Sequence, residues 1–264
     1  MIIENRNLIE MVRNYWDNQP CNVKHSKKEV GTIAYFNEVE KRKYFVESHI
    51  PKFANFPQWA GKKVLEIGCG IGTDAVNFAR HGAFYTGVEI SKVSLDLCRT
   101  RFELFDLLGN FIEGNVEELD DILVGQKFDL IYSFGVLHHT PNIEKALNSL
   151  KKFMTHNSTL KIMVYAKNSI KQALINSGLE QPEAQANCPI ANSYTKEEMI
   201  ILFEKIGLEI LEHQQTHIFP YKISEYRRYE YVKVDWIAAM PEAFFETLEK
   251  NFGWHMLIES KLKP

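Results

Sequence analysis

The stretch Val64–Asp74, VLEIGCGIGTD, decides how the rest of the chain is read. Its apolar run from Lys63 to Ile67 has the composition of a buried parallel strand, and the segment Thr73–His81 carries Val76 and Phe78 at helical spacing. Between them stand three alternate glycines, Gly68, Gly70 and Gly72. Glycine takes a positive φ at little cost and leaves room above the backbone. A ligand can therefore lie on such a turn and meet the amides that open the helix. Alone, the turn does no more than join a strand to a helix; the segments that follow make it a nucleoside-cofactor site.

After the helix, Phe84–Val88 reads as a second strand ending at Glu89, with Ile90 beside it and Ser91 capping the next helix. A carboxylate at that strand tip, about twenty residues past the first glycine, is placed to accept both ribose hydroxyls, and Ile90 to pack on an adenine face. A third strand, Asn110–Gly114, ends at Asn115 and Val116. Asn115 is a favoured cap for the turn that opens at Glu117. The fourth strand, Phe128–Phe134, runs into Gly135–Pro141, GVLHHTP. Ligands of open parallel sheets bind at these carboxyl ends, near the point where the strand order reverses.

The spacing Glu66-x-Gly68-x-Gly70-x-Gly72, with Thr73 where a dinucleotide fingerprint wants glycine, resembles the first motif of class I S-adenosylmethionine-dependent methyltransferases of the small-molecule type. The run FDLIYSFGVLHHTP is similar to their fourth motif, and the resemblance covers Lys63 to Tyr165. It implies an α/β, Rossmann-like fold: a seven-stranded, mostly parallel sheet with helices on both faces, an N-terminal helical lid and a C-terminal insertion. It implies S-adenosyl-L-methionine as cofactor and S-adenosyl-L-homocysteine as product. Glu66 would order the amino group of the donor and Gly68, Gly70 and Gly72 seat its methionine part. Glu89 would hold ribose, Ile90, Asn115 and Val116 the adenine, with Phe134 also at the cofactor. Related chains commonly have Asp at the position of Asn115. His139 aligns with the single histidine of related loops and would orient or deprotonate the acceptor, with His138 nearer the cofactor; alternatively one of the two packs as a hydrogen-bonded support. The implied reaction moves a methyl group to a small-molecule acceptor, an oxygen of a polar or anionic metabolite in preference to nitrogen or carbon. The fourth motif lacks the Asn-Pro-Pro-Tyr or Asp-Pro-Pro-Tyr run of enzymes acting on DNA bases or protein glutamine.

No metal is expected. His138 and His139 have no carboxylate or thiol at ligand spacing. His213 and His217 stand four apart, but in a strand-like segment without the glutamate of a zincin helix. His217, near a strand end, is a candidate for the substrate cavity instead.

The 264 residues, 45% of them hydrophobic, suit one enlarged α/β domain. A net charge of −3 and a pI near 6.3 give no basic field for nucleic acid. Cys21, Cys69, Cys98 and Cys188 form no short-spaced pair, which fits a reducing compartment. Charges interrupt the first apolar run, and no later run has bilayer length, so a cytoplasmic chain with no membrane partner is expected. A homodimer or a related subunit stays open as a partner. Two rival readings remain: a catalytically silent subunit of this fold, and an NAD-dependent oxidoreductase, which Thr73 opposes.

Three regions follow: a lid over residues 1–60, a core over 61–217 with an insertion at 166–194, and a substrate-pocket insertion with the last core strand over 218–264. The lid reads as helices over Leu8–Trp16 and Tyr35–Ile50. Tyr15, Trp16, His25 and Tyr35 are its candidate pocket residues, or else Trp16 and Tyr35 are core anchors. The core closes with strands at Leu160–Tyr165, Leu208–Thr216 and Trp254–Ser260, and with a helix from Thr195 whose Glu198 completes a capping box. In the last region, helical spacing sets Lys222, Tyr226, Tyr229 and Lys233 on one face, leaving either Arg227 or Arg228 to hold a carboxylate or phosphate. The plainer alternative is an exposed basic helix whose tyrosines pack on the sheet.

Overall fold

A computed structural model describes residues 2–179, 181 and 187–264; part of the expected 166–194 insertion lies outside the described residues. The chain begins with helix α1 (Ile2–Asn18), longer than its apolar stripe predicts, and a 3-10 turn at Val23–His25. The expected helix over 35–50 is two helices, α2 (Ile33–Val46) and α3 (His49–Ala54). Pro51 explains the break: a proline ring clashes with the carbonyl four residues back, so Glu47 leaves helical geometry, at φ −117° and ψ 59°. The break turns Glu47 and His49 toward the sheet.

Strand β1 (Lys63–Ile67), helix α4 (Thr73–Arg80), strand β2 (Phe84–Glu89), helix α5 (Lys92–Leu104) and strand β3 (Asn110–Glu113) follow as the periodicity predicts. Then come β4 (Leu130–Phe134), α6 (Ile143–Lys151), β5 (Thr159–Tyr165), α7 (Ile170–Asn176), α8 (Lys196–Lys205) and β6 (Leu208–Thr216). The Thr195–Glu198 capping box is present at the start of α8. Short helices α9 (Ile223–Arg227) and α10 (Asp235–Ala238), helix α11 (Glu242–Phe252) and strand β7 (His255–Leu262) complete the chain.

The seven strands form one sheet in the order β3-β2-β1-β4-β5-β7-β6. All neighbours are parallel except β7, which runs antiparallel to both β5 and β6. Alternation along β1 builds a core on each face. Val64 packs with Phe78, Leu95 and Phe102 under α4 and α5, whereas Leu65 packs with Leu147, Leu150 and Phe203 under α6 and α8. Each such side chain, fully buried, is worth about 1.5–3 kcal/mol. Arg101, with no exposed surface, ties the first layer together: it donates to Thr73 Oγ1 (2.8 Å), to the Phe36 carbonyl (3.3 Å) and to Glu40 (2.7 Å).

The expected single helical face of 222–233 is not formed. Helix α9 ends at Arg227, and Tyr229 takes a left-handed φ of 69° while the Glu230 amide reaches back to the Glu225 carbonyl. That is a helix-terminating turn, and the chain returns extended, pairing Tyr221 with Lys233.

Candidate functional site

The order β2-β1-β4 places the reversal of winding at β1, and a cavity opens at the carboxyl ends of β1 to β4. Its empty space is about 1090 Å³ counted to its mouth, at the upper end of what small-ligand pockets span. Glu66, Gly68 and Gly70 line it from the first turn, Glu89 and Ile90 from the second, Asn115 and Val116 from the third, and Phe134 and His139 from the fourth. Ile9, Val12 and Trp16 of α1 cover it from above, and Cys21, Asn22 and Lys43 contribute from the segments that follow.

The three glycines do different work. A side chain on Gly70 would meet nothing within 4 Å, so its space is open to the cavity. One on Gly68 would strike Val136 at 2.2 Å, and one on Gly72 would strike Cys98 Sγ at 2.7 Å. Gly72 is thus the left-handed cap where α4 meets α5, and it does not line the cavity as the sequence reading expects.

The two strand-tip carboxylates face the cavity in contrasting settings. Glu89 accepts the Gly70 amide on one oxygen (2.8 Å) and the Ser91 amide on the other (2.9 Å); burial raises its pKa while these amides pull it back. Glu66 accepts the Tyr85 hydroxyl at 2.6 Å, and burial, reinforced by neighbouring Asp74, pushes its pKa up to about 8. Asp74 is unsignalled by the motif, yet it is the hub of the site floor. Lys43 Nζ (2.9 Å), the Tyr44 hydroxyl (2.9 Å) and the Tyr132 hydroxyl (3.1 Å) all donate to it. Burial opposes the Lys43 charge, but Asp74 and Glu47 still hold its pKa above the ordinary lysine value.

Asn115 forms the cap: its Oδ1 accepts the Glu117 amide at 3.1 Å, and the residue lines the cavity with Nδ2 buried and unmatched. His138 and His139 lie in a 3-10 turn, where successive side chains point about a third of a turn apart. His139 lines the cavity, its ring centre 5.2 Å from that of Trp16 in an edge-to-face arrangement. Its Nδ1 lies 2.5 Å from the Ile190 carbonyl. A carbonyl only accepts, so the proton sits on Nδ1 and Nε2 keeps a lone pair; Nε2 is buried with no hydrogen-bond partner. Burial lowers the His139 pKa to about 4, opposed by the Ile190 bond. His138 is not beside the cavity. It is fully buried, its ring centre 3.6 Å from that of Tyr165, and burial together with His139 keeps it neutral.

Several expected pocket residues are elsewhere. Tyr15 packs against Trp16 and His25 is buried in its 3-10 turn, and neither lines the cavity. Tyr226 is buried beneath Arg42, whose guanidinium lies 4.2 Å from its ring centre and 4.0 Å from that of Tyr229. Arg227 is exposed, and Arg228 pairs on the surface with Glu225 and Glu230, so neither side chain faces the cavity. Once α9 ends early, both arginines fall on its outer side. His217 is buried, but against His49 and His255 (ring centres 5.3 and 4.6 Å). Among the described residues, Glu47, His49 and His255 are a group whose ligand-type atoms lie within 4.8 Å of one another. Spread over more than two hundred positions, they leave no spacing for a sequence reading to find. No helix among the described residues is long and apolar enough to cross a membrane.

A family profile described as a methyltransferase domain matches residues 39–213. A curated relative, the ubiquinone biosynthesis O-methyltransferase of Coxiella burnetii, is 33% identical over 89 residues, which are 34% of this chain and 37% of that one. The chain therefore spans well under half the length of that relative. Among solved structures, magnesium protoporphyrin IX methyltransferase from Synechocystis PCC 6803 with bound SAH superposes with a TM-score of 0.63 at 15% identity, covering 97% of this chain and 99% of the other. A Haloferax volcanii putative methyltransferase in complex with the Trm112 methyltransferase activator gives 0.64 at 15% identity, covering 96% and 98%.

Proposed function

The chain belongs to the methyltransferase-domain family, whose methyl donor is S-adenosylmethionine, and from that membership we propose that it methylates an oxygen of a small polar or anionic molecule. The observation that carries the reading is the cavity itself: a glycine turn open at Gly70, a carboxylate at each of two strand tips, and an imidazole with a free lone pair on the fourth. The preference for oxygen rests on the O-methyltransferase relative, similar over a third of this chain.

The residues fit the donor. Gly70 leaves space where a side chain would fill the turn, and Asn115 Nδ2 is a buried donor awaiting an acceptor. Glu89 retains lone pairs beyond the two amides it accepts and would take the ribose hydroxyls. Glu66, ionised on meeting an ammonium group, would hold the methionine end over Gly68 and Gly70, while Ile90 and Val116 flank the base and Phe134 bounds the sulfonium. The donor supplies an electrophilic methyl group on sulfur. The protein's own part is to hold an acceptor in line with it, which removes translational and rotational entropy from the barrier. His139 Nε2 would accept the acceptor's hydroxyl proton, Nδ1 staying bonded to Ile190. Residues 1–60 act as the lid over a core of 61–217, Trp16 being the side chain that closes on His139, while no described residue of 218–264 lines the cavity.

The test is release of S-adenosylhomocysteine, with labelled methyl recovered in product, across a panel of phenols, catechols, carboxylates and amines. Oxygen-methylated product supports the reading; methylation confined to nitrogen or carbon overturns the oxygen preference. A second reading, a subunit that needs a partner for activity, is favoured by the likeness to a chain seen with an activator. Activity of the purified chain alone would end it.

A further inference from the structure

Behind Phe134, outside the cavity, three chain segments bring together a carboxylate and three imidazoles. The break forced by Pro51 delivers Glu47 and His49, the end of β6 delivers His217, and the start of β7 delivers His255. Glu47, His217 and His255 are buried and His49 is half-buried. The rings of His49 and His255 lie 6.0 and 5.5 Å from that of Phe134.

We propose that Glu47, His49 and His255 form a binding site for a divalent first-row transition ion, with an open coordination position beside His217. Their ligand atoms lie within 4.8 Å of one another, and His49 Nε2 is 2.9 Å from His255 Nδ1. Two imidazole ligands of one tetrahedral ion stand about 3.3 Å apart for bonds of about 2.05 Å, so the rings need move only a few tenths of an ångström. Glu47 Oε1 lies 3.7 Å from His255 Nε2, on the same ring whose Nδ1 meets His49. Two histidines and one carboxylate with a vacant position is a donor set used for zinc and for non-haem iron.

Charge narrows the ion class. Lys43 acts electrostatically on His49 and Lys171 on His255, and Glu47 is the carboxylate that acts in turn on Lys43. A hard cation held by charge alone gains little there; an ion held by strong bonds to nitrogen does not depend on it. The backbone also supports a built site. His217 sits at a left-handed φ of 73°, uncommon for a side chain of its size, and is held by the Trp254 amide donating to its carbonyl at 2.8 Å. Gly253 permits this: a side chain there would strike the Thr216 carbonyl at 2.2 Å. The inference does not depend on the nature of the methyl acceptor, so the metal titration and the product assay fail separately.

The experiment is calorimetric titration of untagged, chelator-stripped full-length protein with ZnCl2, paired with visible absorption on adding CoCl2. One ion per chain is expected, with the absorption bands of low-coordinate cobalt. His49→Gln and His255→Gln should each weaken binding more than about tenfold, since losing even an outer-shell partner costs that much. If His255→Gln fails to fold by circular dichroism, the less buried His49→Gln decides. Absence of binding, or binding untouched by His49→Gln, overturns the proposal. Binding lost instead in His139→Gln also overturns it, assigning the ion to His139 and Cys188, whose Sγ lies 3.5 Å from His139 Nδ1.

Discussion

At the scale of single residues, Glu66 and His139 make opposite claims on pH. The folded-state pKa of Glu66, about 8, lies above the ordinary carboxylate value, so the folded chain holds that proton more tightly than the unfolded one. Its contribution to stability is present below the unfolded pKa and is lost as pH rises toward 8. His139, lowered to about 4, behaves in reverse: its contribution is present above the usual histidine value and lost as pH falls toward 4. Glu66→Gln should therefore flatten the decline in melting temperature between pH 5 and pH 8, measured as the difference from wild type; an unchanged slope would show that Glu66 is already ionised. For His139→Ala, turnover should fall by about 10²-fold or more if it removes the proton, with affinity for S-adenosylmethionine nearly unchanged. Equal losses in both would reassign His139 to cofactor binding. Glu66, Gly68, Gly70, Glu89 and His139 were legible in the chain because each lies within a few residues of a strand end, where local periodicity fixes position. Asp74 and Lys43 were not, because their pairing depends on α2 crossing α4.

At the scale of elements, the glycine turn separates ligand space from packing space. Gly70→Ala should weaken cofactor binding more than it lowers melting temperature, and Gly68→Ala, which drives a methyl group into Val136, should do the opposite. Calorimetry and thermal melts on both variants check the pair, and the same ranking in both assays would refute the division. Arg101 joins α5 to α2 and α4, so Arg101→Met should cost about 3 kcal/mol in denaturant unfolding, the lower end for breaking a buried pair because Glu40 keeps Arg80 at 2.8 Å. The strands and helices from β1 to β5 followed the predicted pattern because hydrophobic period and burial agree there. In 222–233 they did not. The helical spacing of Lys222, Tyr226, Tyr229 and Lys233 is real, but the left-handed turn at Tyr229 ends the helix, and burial of Tyr226 under Arg42 from α2 is a contact that spacing cannot announce.

At the scale of the whole molecule, the cavity is built by the sheet and closed by the N-terminal helix. Ser91 donates to Asp17 at 2.8 Å, tying α1 to the tip of β2, and Ile9, Val12 and Trp16 cover the space beneath. A chain beginning at Gln19 should keep its cooperative melt yet lose about tenfold or more in cofactor affinity; full affinity in that variant would remove α1 from the site. The long-range assembly of Glu47, His49, His217 and His255 also belongs to this scale, and only the closed sheet reveals it. The central claim, that the glycine turn and the carboxylates at the strand tips bind the methyl donor, is tested most directly by calorimetric titration of the full-length chain with S-adenosylhomocysteine, and with NAD as the comparison. One S-adenosylhomocysteine bound per chain and no heat from NAD is the expected result; binding of NAD, or of neither, would overturn the assignment.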